Sequence, residues 1–179
     1  MLNTAHNRWL ASSSRALLLC AGAALLLAAC SPKYNWRQVQ GNDAPYSVLL
    51  PAKPSTLARE IDLDGIKVSM TMTATKIDDT VFAVGSAKLA DAGQAAAALK
   101  AMKTALVKNI NGSVKSEKTS ANGIDLEAVG TVSSGSQAKV LFAHLQNKEQ
   151  YIYQVIVIGS QKTVTPENVE TFMSSFKPG

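Results

Sequence analysis

Between residues 66 and 75 the chain alternates with a period of two. Ile66, Val68, Met70, Met72 and Ala74 interleave with Lys67, Ser69, Thr71, Thr73 and Thr75. Such a period places the two sets on opposite faces of a strand, so the apolar set is predicted to face a core and the polar set solvent. Around this strand the text is rich in β-formers. Tyr46 to Leu50 reads as a strand stopped by Pro51 and Pro54. Arg59 to Leu63 is predicted to meet Ile66 to Lys76 across Asp64-Gly65, a dipeptide suited to the positive φ of a hairpin turn. Asp78-Asp79 then turns into a strand from Thr80 to Lys88.

The period next changes to that of a helix. Asp91 is a candidate N-cap and Asn111-Gly112 a candidate stop. Between them Ala95, Ala96, Leu99, Met102, Leu106 and Ile110 recur at helical spacing, with Lys100, Lys103 and Lys108 assigned to the other side. Ser113 to Ser120 and Ile124 to Val132 flank a second hairpin dipeptide, Asn122-Gly123. Gln137 to Gln146 and Glu149 to Gly159 follow, the second apolar at almost every position from Tyr151 to Ile158. A strand of that kind must be covered on both faces and belongs near the centre of a sheet. The last element starts at Thr165 with Pro166 and Glu167, carries Val169, Phe172, Met173 and Phe176 as a stripe, takes Lys177 as its last turn and stops at Pro178. The expectation is an α+β domain: an antiparallel sheet of about six or seven strands with two packed helices.

The first 29 residues read differently. Arg8 and Arg15 precede a run of about 14 apolar and small residues, too short for a membrane span of about 20 and suited to a signal peptide. Leu27-Ala28-Ala29-Cys30 resembles the lipobox of bacterial lipoproteins. That resemblance implies cleavage before Cys30, a diacylglyceryl group on its thiol and acylation of the new amino terminus, together a durable membrane anchor. Ser31 rather than Asp after the cysteine favours, by enteric-type sorting, the periplasmic face of the outer membrane. Residues 30–42 are expected to form the lipidated N-terminus and a tether, with Trp36 and Val39 as an alternative start of the fold, and residues 43–179 a single domain.

Composition narrows the function. The chain is 46% hydrophobic and 17% charged, as expected of a globular protein. Its formal charge of +5 includes Arg8 and Arg15, so removing the leader leaves sixteen basic residues against thirteen acidic. That excess lacks the dense basic patch of a nucleic-acid binder, and no nucleic-acid partner is expected. Cys20 lies in the leader, so the mature chain keeps only Cys30 and has no internal disulfide.

The element order carries a further resemblance. An aromatic-β-Pro-x-x-Pro opening (Tyr46 to Pro54), a β-meander, one long helix, hairpin-linked strands and a terminal Phe172-Met173-Ser174-Ser175-Phe176-Lys177 look like the PsbP-like α/β/α sandwich. Photosystem II extrinsic proteins, Mog-type Ran-binding proteins and DcrB-type lipoproteins share that fold. The resemblance implies a scaffold that binds proteins or membranes, and no functional residue set is carried over from it.

Candidate chemistry is sparse. His144, the only histidine after the leader, shares a strand face with Val140 and Phe142 and reads as a packed or rim residue. Ser136-Gln137-Ala138-Lys139 matches S-x-x-K, but it runs from a turn into a strand, and no K-T-G accompanies it. Asp62-Leu63-Asp64-Gly65 lacks the downstream ligands of a calcium loop. Tyr151 and Tyr153, on one strand face, are expected in packing. Lys100, Lys103 and Lys108 are the candidate contacts with anionic lipid head groups; otherwise they form a solvated helix face. No catalytic residue, metal ligand or cofactor is expected. The sequence therefore points to a non-enzymatic lipoprotein, attached to a membrane through its N-terminal lipid and serving an envelope protein partner. The alternative is a small-ligand or lipid-binding lipoprotein with an apolar cleft between helix and sheet.

Overall fold

Positive-φ residues fold the chain back on itself at its hairpins. In the computed structural model Asp64 (φ 58°) and Gly65 (φ 92°) turn β3 (Ser55–Leu63) into β4 (Ile66–Ile77), and the Gly65 N–H donates to Asp62 Oδ1 at 2.5 Å. Asp78 (φ 52°) turns β4 into β5 (Thr80–Lys88), and Glu149 (φ 54°) joins β8 (Lys139–Lys148) to β9 (Tyr151–Ser160). The structure describes residues 33–121, 123–130 and 138–179. The segment expected to be a signal peptide, Cys30, Asn122 of the second hairpin dipeptide and Ser136 of the S-x-x-K match lie outside the described residues.

Seven antiparallel strands form the main sheet in the order β3-β4-β5-β9-β8-β7-β6, where β6 is Gly112–Thr119 and β7 Gly123–Gly130. The almost wholly apolar strand takes the centre, as its lack of a polar face requires. Successive residues of β9 feed two different cores. Ile152 and Ile156 join Leu99, Met102 and Leu106 of α1 (Ala95–Asn109) on one face. Tyr153, Val155 and Val157 join Phe172 and Phe176 on the other. The second core is closed by α2 (Pro166–Ser175) and a three-stranded sheet in which β2 (Tyr46–Leu50) lies between β1 (Arg37–Gln40) and β10 (Lys177–Pro178). The class is α+β, with helices on both faces of the sheet.

Several expectations change. Tyr46 to Leu50 is a strand, but of the small sheet, and residues 34–40 are folded: Tyr34 and Trp36 pack against Phe82 at ring distances of 6.4 and 6.0 Å. The start at Trp36 and Val39 is thus the one seen, and the tether cannot extend to residue 42. Lys177 leaves the helix. Phe176 is extended (φ −69°, ψ 129°), and Lys177 pairs with Ser47 in β10. β3 begins at Ser55, four residues before its sequence signal, because an edge strand exposed along most of its length needs no apolar alternation.

The alternation in β4 is real, but its outcome differs from a half-solvated strand. Thr71, Thr73 and Thr75 are buried, whereas Met72 and Ala74 are only half-buried. The segment leading into β2 and its first residue cover two of the threonines: Thr71 Oγ1 donates to Asp43 Oδ2 at 2.8 Å, and Tyr46 reaches Thr73. On the helix side, α1 lies chiefly over β6 to β9 and leaves Met72 near the margin. Within α1, Ala98 rather than Ala96 faces the core, and Asp91 caps a short 3-10 turn (Ala92–Gln94) that leads into the helix. A side chain on Gly130 would collide with the Ile110 carbonyl, so glycine lets the end of α1 close onto β7.

Candidate binding groove

Pro166 pre-sets the first turn of α2, and the Thr165 hydroxyl accepts from the Asn168 N–H at 3.4 Å. Its apolar stripe divides. Phe172 is fully buried against Phe82, edge to face at 5.5 Å, while Val169 and Met173 stay half-buried and turn toward β8 and β7. Beside them the sheet runs out past the helix. The result is an open groove of about 520 Å³, walled by Val169, Met173, Phe176 and Phe142 and floored by polar side chains of β6, β7 and β8.

Register fixes that floor. Lys118, Asp125 and His144 stand directly across from one another on three adjacent strands, as do Ser116, Glu127 and Phe142 in the next row. His144 Nδ1 lies 2.6 Å from Asp125 Oδ1, and Nε2 lies 3.1 Å from Gln146 Oε1. Both ring nitrogens are thus committed to side chains. Glu127 is held by Lys115 Nζ at 2.7 Å. A His-Asp pair supplies two of the three members of a hydrolytic triad, but its outer nitrogen meets an amide here, not a nucleophilic hydroxyl. Among the described residues no group of three or more His, Cys, Asp or Glu gathers to hold a metal.

The other candidates fall in separate places. Lys103 donates to both Glu117 carboxylate oxygens, at 3.0 and 3.2 Å. Lys100 and Lys108 are exposed. At about 100° per residue, Lys103 and Lys108 stand about 140° apart around the helix. The three lysines do not make one stripe. Lys139 opens β8 at the surface. Asp62 and Asp64 shape a hairpin, and Asp79 accepts from the Thr163 hydroxyl and, at 3.2 Å, from the Ser160 N–H. Those hydrogen bonds hold the Asp79 carboxyl below the usual carboxylate range, the Thr163 bond contributing most.

Tyr153 is fully buried and donates to the Pro45 carbonyl at 2.9 Å. Burial first, then nearby Tyr151 and Glu149, pushes its phenol up to about 12. Tyr151, on the same face, is half-buried with the Lys88 ammonium 5.8 Å from its ring centre.

Sequence reasoning placed Phe142 and His144 on one face but missed Asp125, Glu127 and Gln146 as their neighbours. Each is an unremarkable polar residue of a strand, and only strand register brings them together. No protein-family model matches the chain, and no curated protein matches it.

Proposed function

We propose that this chain is a lipid-anchored, non-enzymatic lipoprotein of the cell envelope, of structural or protein-interaction type. It is held through Cys30 at the periplasmic face of the outer membrane, and the groove beside α2 receives its partner. The lipobox-like Leu27-Ala28-Ala29-Cys30 supports the anchor. One observation carries the binding reading: the groove joins an apolar wall to a floor in which Asp125, His144 and Glu127 already have side-chain partners. Such a surface offers shape and apolar area without a poised base or nucleophile. The resemblance to PsbP-like scaffolds points the same way.

The test is capture from crosslinked envelopes with the acylated protein, comparing the native chain with Val169→Glu and Met173→Lys. One stoichiometric partner, lost in both variants, is expected. A blank capture together with a co-purifying small molecule would overturn the protein-partner reading. That outcome belongs to the second reading, a small amphipathic ligand, which the groove volume favours because ligand sites span about 300–1,000 Å³. Native mass spectrometry of the purified protein separates the two.

A further inference from the structure

We propose that the domain rests on an anionic bilayer through one end of its main sheet, the end at which residue 34 joins the fold. This rests on the lipid-anchor reading. Register defines that end. One row crosses the sheet from Lys76 through Val81, Ile158, Leu141 and Ala128 to Val114, and beyond it lies the row Ser160, Lys139, Gly130, Gly112. At the same end the Asn35 N–H donates to the Pro51 carbonyl at 2.8 Å, and Tyr34 packs on Phe82 near the start of β5.

Charge is uneven along the sheet. Arg37, Lys53, Lys76, Lys108, Lys139 and Lys162, all exposed, lie at or beyond these rows, on strand ends, on the last turn of α1 and in the connecting loops. Among the described residues only Asp78, Asp79 and Glu167 oppose them there. The opposite end carries the acidic turns of Asp62, Asp64, Asp91 and Glu149 among its lysines. The basic end also offers Val114, 44% exposed, beside Lys108 and Val107 in a shallow depression. Cations around an exposed aliphatic residue match an interface of anionic head groups over acyl chains.

Covalent geometry favours this end. Four residue steps separate Cys30 from Tyr34, at most about 14 Å of extended chain. An acylated Cys30 therefore leaves too short a lead for the far end of a ten-residue strand to reach the same surface without tipping the domain on its side. Of the three helix lysines, Lys108 belongs to this surface. Lys100 lies about 12 Å back along the axis, and Lys103 is occupied by Glu117.

The test uses the mature protein purified from membranes and reconstituted into vesicles, either phosphatidylglycerol-rich or wholly phosphatidylcholine. Intact mass reports acylation, and amide exchange reports the surface. On anionic vesicles, residues 52–54, 76–80, 108–114 and 161–163 are expected to exchange roughly fivefold more slowly, an effect lost when Lys53, Lys76, Lys108, Lys139 and Lys162 become Gln. The control set, Lys67, Lys88 and Lys148 to Gln, leaves the protection in place. Equal exchange on both vesicles, or protection at residues 62–65 and 91 instead, would overturn the proposal. An unacylated chain that still protects the basic end would sink the anchor and keep the surface; one that protects nothing would sink both.

Discussion

Lys103 Nζ meets the Glu117 carboxylate at 3.0 Å because Lys115, one strand turn earlier, is squeezed out of the β6–β7 ladder. Val114 opposes Ala128 and Ser116 opposes Glu127, so the strand changes parity at a single residue. Past that bulge Glu117 joins the helix face with Leu126, and Lys118 joins the groove floor with Asp125. Lys115 itself reaches Glu127, and the bulge disrupts the open edge of the sheet, where unpaired strands invite association. Two predictions follow from this one irregularity. A double-mutant cycle of Lys103→Ala and Glu117→Ala should give a coupling of about 0.3–1 kcal/mol that shrinks with added salt, since both groups are about a quarter exposed. Deleting Lys115 should cost less than about 1 kcal/mol in denaturant unfolding, because Ser116 already stands opposite Glu127 and every pair beyond the bulge is kept, leaving only the exposed Lys115–Glu127 ion pair lost.

Phe172 ties α2 to the sheet. It is fully buried and meets Phe82 edge to face at 5.5 Å. Phe172→Ala should lower the stability by about 3–5 kcal/mol, with Phe172→Leu losing much less. A Leu variant as damaging as Ala would show that ring geometry, rather than volume, holds the helix.

Tyr153 predicts an alkaline limb in the stability curve. Its folded-state phenol is raised to about 12 from an ordinary value of 10, so the folded protein holds that proton more tightly than the unfolded chain does. The stabilisation is complete below pH 10 and fades as pH rises from there toward 12. Tyr46, raised mainly by burial, adds to the same limb. Tyr153→Phe should flatten part of the limb and cost about 1 kcal/mol at neutral pH by losing one of the two hydrogen bonds to the Pro45 carbonyl, the other coming from the Gly179 N–H at 2.7 Å. Unfolding at graded pH measures both.

Asp79 gives the opposite sign. Its folded-state carboxyl is depressed by the bonds from Thr163 and Ser160, so its contribution is present above the ordinary carboxylate range and is lost as pH falls through it. The group is exposed to solvent, and its share of stability should stay below about 1 kcal/mol. Asp79→Asn should reduce the acid-side slope without shifting the alkaline limb.

The sequence by itself determined the elements. Proline after Leu50, glycine after Asp64, an N-cap at Asp91 and a Thr-Pro-Glu start at residue 165 are local instructions, legible because each acts within a few residues. It also marked Tyr151 to Ile158 as central, since a strand without a polar face must be covered twice.

Tertiary structure decided which faces those elements share. That Thr71 and Thr73 lie under Asp43 and Tyr46 rather than in water depends on a second sheet built from residues far apart in the chain. That Lys118, Asp125 and His144 form one row depends on register, which a bulge at Lys115 resets by one residue. Side-chain direction in a strand inverts with every residue, so a pattern read along the chain cannot tell which polar groups will meet; only the pairing of strands across the sheet can.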